Sequence, residues 1–201
     1  MTKNITGLCA PLPIMNADTD IIMPKRFLRT ITREGLADGT FADLRFDDDG
    51  NCRPEFILNQ EPWQKASILI VGDNFGCGSS REHAVWGLMQ LGIKACIGTG
   101  FAGIFYDNAR KNGLALPVID ADTRDMLLDF AGSVEGCELT IDIENRTLIH
   151  DGKTLSYEMD NATKQALLEG RDDTLDTLKL IDEIHAFEET LTRTNWVSVQ
   201  K

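Results

Sequence analysis

Glycines, hydroxyls and charged side chains are concentrated in one stretch, GDNFGCGSSREHA, at residues 72–84. Residues 67–71, SILIV, precede it and are typical of a buried strand, and residues 81–91 have the pattern of a helix that ends before Gly92. The polar residues therefore lie at a strand–helix junction. The first N–H groups of a helix lack intrahelical partners and carry about half a positive charge, so such a junction attracts anions.

The residues of this junction suit an anion site that also moves a proton. Gly76 and Gly78 let the backbone approach a ligand closely or adopt a positive φ. Arg81 is able to grip a carboxylate through two parallel hydrogen bonds. Ser79 and Ser80 add hydroxyls that transfer a proton where the effective pKa of one is lowered. The alternative is an ordinary turn in which a serine caps the helix and Arg81 lies on a solvated face.

Three common loop motifs do not fit the stretch. A phosphate-binding P-loop needs a lysine after its last glycine, and none follows here. The dinucleotide fingerprint G-x-G-x-x-G fits from Gly76 but has Arg81 in place of its third glycine. The hydrolase elbow G-x-S-x-G has no matching frame. These three classes of site are therefore disfavoured.

Strand and helix patterns alternate around the stretch. Residues 94–98 and 114–119 are further strand candidates, and residues 101–112 between them have the pattern of a helix. This alternation predicts an α/β fold with a mostly parallel central sheet flanked by helices. Later in the chain, Asp151-Gly152 predicts the turn of a β-hairpin.

The two ends of the chain give weaker patterns. The first 14 residues mix β-formers with glycine and proline, which predicts a strand near a sheet edge. A C-terminal helical extension carries an apolar stripe at helical spacing, formed by Leu178, Ile181, Ile184, Phe187 and Leu191. We expect this stripe to pack in the core, with a partner surface as the alternative. No linker interrupts the sequence, so residues 1–201 are predicted to form a single domain.

Composition favours a cytoplasmic globular protein. Among 201 residues, 32 are acidic and 20 are Lys or Arg, which gives a formal charge of −12. This balance argues against nucleic acid or an anionic membrane surface as partner. It leaves a small anionic substrate possible, because salt screens surface fields beyond roughly 8 Å. No apolar run reaches the roughly 20 residues of a membrane span, and the N-terminus lacks a signal-peptide core.

The cysteines do not form a metal motif. They lack a C-x-x-C pair and any zinc-finger spacing, and they are scattered along the chain as Cys9, Cys52, Cys77, Cys96 and Cys137. Iron–sulfur clusters usually take closely spaced thiolates, so we expect this chain alone to bind neither a cluster nor a metal ion. Except for Cys77 in the loop, the cysteines are expected to be reduced thiols that pack as small hydrophobic residues.

Three segments together resemble one known family. GDNFGCGSSREHA resembles the signature of the small subunits of 3-isopropylmalate dehydratases, a branch of the aconitase superfamily. NADTDIIMPKRFL at residues 16–28 and GFAGIFYDNARKNGLALPVI at residues 100–119 resemble two further motifs of these subunits, in the same order. The resemblance extends over about residues 4–178 and implies a swivelling β/β/α domain.

The family resemblance implies a hydro-lyase of leucine biosynthesis that interconverts 2-isopropylmalate and 3-isopropylmalate by dehydration and rehydration. The chain would be active only in a heterodimer with a large subunit, whose 4Fe–4S cluster polarises the departing hydroxyl as a Lewis acid. Two alternatives stay open. One is a paralogous small subunit that acts on 2-methylmalate or 2,3-dimethylmalate. The other is a non-catalytic anion-binding or assembly subunit that has kept the loop.

The resemblance also implies roles for individual residues. Ser79 matches the base that removes a proton from the carbon next to a substrate carboxylate. Ser80 and Arg81 match residues that bind a substrate carboxylate, while loop N–H groups around Gly76 and Gly78 stabilise developing negative charge. Asp20 matches an acidic residue that faces the active site and orients an arginine. Arg26 and Arg29 lie in the loop that recognises the substrate substituent, and the alternative for these two arginines is an ordinary surface position.

The chain departs from the usual family pattern at several positions. Val85 and Gly87 replace the customary proline and alanine of R-E-H-A-P-W-A-L, and Gly100 and Gly103 replace the serine and aspartate of S-F-A-D. These changes leave the expected base and its neighbouring arginine intact but alter the packing around them. The paralogue alternative rests on these departures.

Overall fold

The computed structural model describes residues 3–28, 34–79, 81–133, 137–170, 177–178 and 180–193. Contacts within the chain divide it into two units, Met1–Gly170 and Arg171–Lys201. The expectation of a single domain over the whole chain stays a prediction, and the two units are described separately.

A six-stranded sheet forms the centre of the first unit. Its strands are β1 (Asn4–Leu12), β2 (Ile68–Val71), β3 (Ala95–Ile97), β4 (Cys137–Asp142), β5 (Thr147–His150) and β6 (Lys153–Ser156). Across the sheet the order is β3-β2-β1-β4-β5-β6. β1, β2 and β3 run parallel, and β4, β5 and β6 continue from β1 in antiparallel pairs. The predicted α/β class is confirmed, and the glycine-rich loop follows β2, the middle strand of the parallel half.

Helices make up the rest of the regular structure in the described residues. They are α1 (Thr19–Ile22), α2 (Leu36–Gly39), α3 (Ala42–Arg45), α4 (Glu82–Gln90), α5 (Gly103–Asn112), α6 (Ala121–Ala131), α7 (Asn161–Glu169) and α8 (Ile181–Arg193). Three short 3-10 turns lie at Lys25–Phe27, Ile57–Asn59 and Trp63–Lys65. α5 ends at Gly113 in the left-handed conformation, with φ 84°. Such a glycine satisfies the last carbonyls of a helix without a Cβ clash.

Helices cover both faces of β2, which is buried at all four positions. Leu69 and Val71 pack in one hydrophobic cluster with residues of α4 and α5. Ile68 and Ile70 pack in a second cluster with residues of α6 and α7. Successive strand side chains point to opposite faces of a sheet, so the continuous apolar run of β2 reflects two cores rather than one.

β1 lies inside the sheet, between β2 and β4, so the prediction of an edge strand is wrong. β1 contains one proline, Pro11, which is tolerated for a local reason. Within β1, only residues Asn4–Cys9 pair with β4, and Pro11 lies beyond the last of these pairs. The hydrogen bonds towards β2 are accepted by the carbonyls of Leu8 and Leu12, at 3.0 and 3.1 Å. Pro11, which has no N–H group, therefore faces β4 at a point where the pairing of β1 with β4 has already ended.

Residues 114–119, predicted to be a third strand, form only isolated bridges. Ala95 bridges to Ala115 and Gly98 bridges to Val118, both in parallel. Pro117 interrupts the segment and lacks the N–H group that a continuous ladder requires. The segment therefore follows β3 without becoming a strand.

α8 belongs to the second unit and carries the apolar stripe predicted from the sequence, except for Leu178, which precedes the helix. Leu178, Ile181, Phe187 and Leu191 are exposed by 53, 38, 62 and 36%. The expectation that these four residues pack in the core is therefore wrong. Among the residues that the structure describes, no helix is both long and apolar enough to cross a membrane.

Candidate active site

The glycine-rich loop leaves β2 and runs beside residues 14–19. Three backbone hydrogen bonds join the two segments: Asn16 N–H to the Asp73 carbonyl at 2.9 Å, Gly76 N–H to the Ala17 carbonyl at 2.8 Å and Thr19 N–H to the Cys77 carbonyl at 2.9 Å. On the other side, Phe75 bridges to Phe101, and the N–H of Ala102 donates to the Phe75 carbonyl at 3.1 Å. The fold thus brings all three motifs together, with the loop between the other two.

Left-handed backbone shapes the loop at three positions. Asn74, Gly76 and Gly78 have φ 56°, 78° and 90°. A Cβ at Gly76 would lie 2.2 Å from the ring of Phe105, a core residue that is 2% exposed. Because the N–H of Gly76 bonds to Ala17, Gly76 shapes the loop in this structure rather than offering a donor. Gly78 is exposed, so its backbone is the more accessible to a ligand.

Gly76→Ala is expected to destabilise the protein by about 2–5 kcal/mol, since left-handed backbone costs an alanine about 1–2 kcal/mol and overpacking a core costs about 1–3 kcal/mol. Urea unfolding at equilibrium measures the change. Gly100→Ala is the matched control, because no atom lies within 4 Å of a Cβ built there. The control is expected to stay within about 0.5 kcal/mol of the parent protein. Equal losses in the two variants would contradict the prediction.

Ser79 lies exposed just before α4. The helix begins at Glu82, and the side chain of its N-cap residue, Arg81, makes no capping hydrogen bond. The capping alternative is therefore wrong for Ser79, and the predicted helix start is shifted by one residue. Ser80 lies outside the described residues.

Arg81 and Asp20 form a bidentate ion pair between α1 and the start of α4. Nη1 of Arg81 contacts Oδ1 of Asp20, and Nη2 donates to Oδ2 at 3.3 Å. The Arg81 side chain is only 11% exposed, whereas that of Asp20 is 44% exposed. In the structure, the arginine that Asp20 contacts is therefore Arg81. A guanidinium has five N–H donors, and the pair with Asp20 uses two of them.

The pair with Arg81 changes the titration of Asp20. The hydrogen bond from Arg81 favours the ionised carboxylate and holds the pKa of Asp20 below its usual range. The pair therefore stabilises the folded protein above the unfolded-state pKa of about 3.9. This contribution is lost as the pH falls through the lowered folded-state pKa, because the protonated acid no longer attracts the guanidinium.

Asp20→Asn is accordingly expected to lower the free energy of unfolding at neutral pH, with a deficit that shrinks as the pH falls below about 4. Urea unfolding of both proteins between pH 7 and pH 3 measures the deficit. A deficit that stays constant over this range would show that the charge of Asp20 does not stabilise the fold.

Arg26 lies on the 3-10 turn after α1 and is paired with a residue outside the glycine loop. Its Nη2 is 2.6 Å from Oδ1 of Asp43 on α3, and its guanidinium carbon lies 4.9 Å from the centre of the Phe27 ring. Arg29 lies outside the described residues. A role of either arginine in reading the substrate stays a prediction.

Polar side chains on α4 hold that helix against α5. Asn112 donates to Glu82 Oε1 at 2.7 Å, and its Oδ1 accepts from Trp86 Nε1 at 2.9 Å. The ring of His83 packs against Trp86 with centres 4.9 Å apart. Glu82 and Trp86 are thus tied to the last residue of α5.

The departures from the family pattern have simple packing consequences. A Cβ at Gly87 would lie 2.3 Å from Met23 Cε and 2.5 Å from Thr40 Oγ1, so these side chains occupy the space of the customary alanine. At Gly100 and Gly103 a Cβ would meet no atom within 4 Å. A Cβ is therefore sterically tolerated at Gly100 and Gly103 but not at Gly87.

A second arginine–carboxylate pair adjoins the loop, and the sequence motifs do not indicate it. Oδ1 of Asp73 accepts hydrogen bonds from Nη1 of Arg124 on α6 and from Oγ1 of Thr99 after β3. Arg124 is 51 positions away from Asp73 and outside all three motifs. Of the two partners, only Asp73 lies within a motif, so the sequence motifs indicate the carboxylate but not the arginine that binds it.

Within the described chain, no residues fit an iron–sulfur cluster. Cys9, Cys96 and Cys137 are buried, Cys77 is partly buried and Cys52 is exposed, all as free thiols. Burial raises the pKa of the Cys9 thiol to about 12, so this thiol is protonated rather than a thiolate ligand. Over the same residues, no group of three His, Cys, Asp or Glu side chains is placed to hold a metal ion.

Comparison with known proteins agrees with the motifs. The family of aconitase C-terminal domains matches residues 1–121. A 3-isopropylmalate dehydratase small subunit from Jannaschia sp. (strain CCS1) is 48% identical over 92% of this chain and 92% of the relative. One from Roseobacter denitrificans is 44% identical over 96% of this chain and 97% of the relative.

A solved structure is also similar. The crystal structure of a 3-isopropylmalate dehydratase from Methanocaldococcus jannaschii superimposes with a TM-score of 0.66 at 28% identity, over 90% of this chain and 99% of that chain. The predicted swivelling-domain fold is therefore confirmed. By its sequence, its fold and the joining of its three motifs around one loop, the chain belongs to the family of 3-isopropylmalate dehydratase small subunits.

Proposed function

We propose that this chain is the small subunit of a 3-isopropylmalate dehydratase, which interconverts 2-isopropylmalate and 3-isopropylmalate in cytoplasmic leucine biosynthesis. The observation that carries the proposal is the Arg81–Asp20 pair beside the exposed Ser79. Relatives that match more than nine-tenths of the chain carry this enzyme's name. The partner is a large subunit, and the substrate is a small hydroxy-dicarboxylic acid.

Arg81 binds one carboxylate of the substrate. Its side chain is 11% exposed, so a charge brought beside it is less screened by water than at an open surface. Asp20 holds the end of the guanidinium through Nη1 and Nη2 and thereby fixes its plane. A planar fork held in this way presents its further donors in a fixed direction, which suits bidentate recognition. Ser80 contributes its hydroxyl to the same carboxylate.

Ser79 acts as the base that removes a proton from the carbon next to that carboxylate. A serine hydroxyl is a weak base unless positive charge stabilises its deprotonated form. The guanidinium of Arg81 and the N-terminus of α4 supply that charge two and three residues further along the chain. Loop N–H groups around Gly78 then stabilise the negative charge that develops on the substrate.

The large subunit holds the 4Fe–4S cluster in this proposal, because the described residues of this chain offer no ligand set. When bound there, the cluster supplies a Lewis acid for the hydroxyl that leaves. Arg26 and Arg29 are assigned to the substituent of the substrate. Each subunit then contributes part of one active site, so neither is active alone.

Reconstitution tests the proposed function. The purified chain is mixed with a cluster-loaded large subunit of the same organism, and formation of the unsaturated diacid is followed from 3-isopropylmalate and from 2-methylmalate. We expect turnover of 3-isopropylmalate by the mixture and by neither subunit alone. Preference for 2-methylmalate would identify a paralogous hydro-lyase. A stable complex that turns over neither substrate would identify a binding or assembly subunit.

A further inference from the structure

We infer that Arg124, acting through Asp73, positions the glycine-rich loop for proton transfer by Ser79. The inference rests on the proposed function and extends the active site to α6, which contains none of the three family motifs. Arg124 is a positioning residue in this scheme, since it acts on the loop rather than on the substrate.

Asp73 connects three separate parts of the chain. Its Oδ1 accepts from Arg124 Nη1 and from Thr99 Oγ1. Its backbone carbonyl accepts the N–H of Asn16 at 2.9 Å, in the segment that leads to Asp20. A single residue therefore ties the start of the loop to α6, to the turn after β3 and to the segment that orients Arg81.

The parallel sheet explains why these groups meet. β2 and β3 are parallel neighbours, so their carboxyl ends lie at the same edge of the sheet. Asp73 follows β2 by two residues, and Thr99 follows β3 by two residues. In open α/β sheets this edge is where ligands bind, which places the contacts of Asp73 at the base of the site.

The guanidinium of Arg124 is held in one orientation. Its Nε and Nη2 each lie 2.8 Å from Oδ1 of Asp125, so this edge is occupied and Nη1 is directed to Asp73. The Arg124 side chain is 12% exposed, whereas that of Asp73 is 45% exposed. Hydrogen bonds between ionised groups are roughly twice as strong as neutral ones, so the partly buried arginine anchors the more exposed carboxylate.

The loop beyond Asp73 needs such an anchor. Three of the next five residues, Asn74, Gly76 and Gly78, have positive φ, and glycine has more accessible backbone conformations than any other residue. Ser79 follows directly. A misplacement of about 1 Å in a catalytic group costs about 100-fold in rate, so a tether at the start of the loop affects the reaction at its end.

Arg124→Gln tests the inference in the assembled complex, with kcat expressed per mole of complex so that misfolded protein does not count. We expect kcat to fall at least about 10-fold with KM within about twofold, because positioning of the base affects the chemical step more than binding. Arg124→Lys is expected to recover part of the loss, since it restores a charge opposite Asp73. The matched control is Arg146→Gln, which removes an arginine that bonds to Asn161 on α7, outside the glycine-rich loop and its contacts.

An isotope effect separates positioning from a structural role. With substrate deuterated at the carbon that loses the proton, the effect on kcat in Arg124→Gln should equal or exceed that of the parent complex. A smaller isotope effect, an unchanged kcat, or a loss matched by Arg146→Gln would each overturn the inference. An inactive parent complex would instead defeat the proposed function itself.

Discussion

Ser79→Ala is expected to lower kcat of the assembled complex about 1,000-fold, within the range of about 10²–10⁴ that general base catalysis contributes. The substitution removes the hydroxyl that takes the proton and leaves the substrate carboxylate site in place. KM should therefore change little. Initial rates of diacid formation from 3-isopropylmalate, at saturating partner subunit, measure both constants.

The stability of the Ser79→Ala variant should match that of the parent protein, because Ser79 is exposed and does not cap α4. Ser156→Ala is the matched control, since it removes an exposed hydroxyl on β6 in the same unit. Its kcat should be unchanged. Retention of activity within a few fold by the Ser79 variant would exclude Ser79 as the base.

Arg81→Lys is expected to raise KM about 10- to 100-fold, which corresponds to the loss of about 1.5–3 kcal/mol from hydrogen bonding to a charged group. Lysine retains the positive charge, but a single ammonium cannot reproduce the planar fork that contacts Asp20 and the substrate. Substrate saturation curves of the assembled complex measure the change. Unaltered saturation behaviour would exclude Arg81 from carboxylate binding.

A double-mutant cycle with Asp20→Ala tests whether the two residues act as one unit. If Asp20 works by holding the guanidinium of Arg81, its removal should matter much less once Arg81 is lysine, so the effects on KM should not add. Arg146→Lys is the control, because Arg146 bonds to Asn161 on α7 and to no residue that is assigned to the site. Additive effects would show that Asp20 contributes independently of Arg81.

Local features of this fold follow from the sequence alone. The end of α4 before Gly92 is predicted, because glycine adopts a left-handed conformation at little cost, and Gly92 has φ 99°. The hairpin turn at Asp151-Gly152 is likewise predicted, and both residues have positive φ. The glycine-rich stretch with its serines and arginine also indicated the candidate site, because neighbours in sequence are neighbours in a loop.

Only the tertiary structure decided which distant groups meet at that loop. Asp20 and Arg81 are 61 positions apart, and Asp73 and Arg124 are 51 apart. Without the family resemblance, no local pattern links either pair, since their contact depends on the order of strands in the sheet. The same order places β1 inside the sheet despite its proline, Pro11. The backbone conformation of a turn or helix end depends on the residues at that position. Contacts between distant residues depend instead on how all the strands and helices pack together in the two hydrophobic clusters.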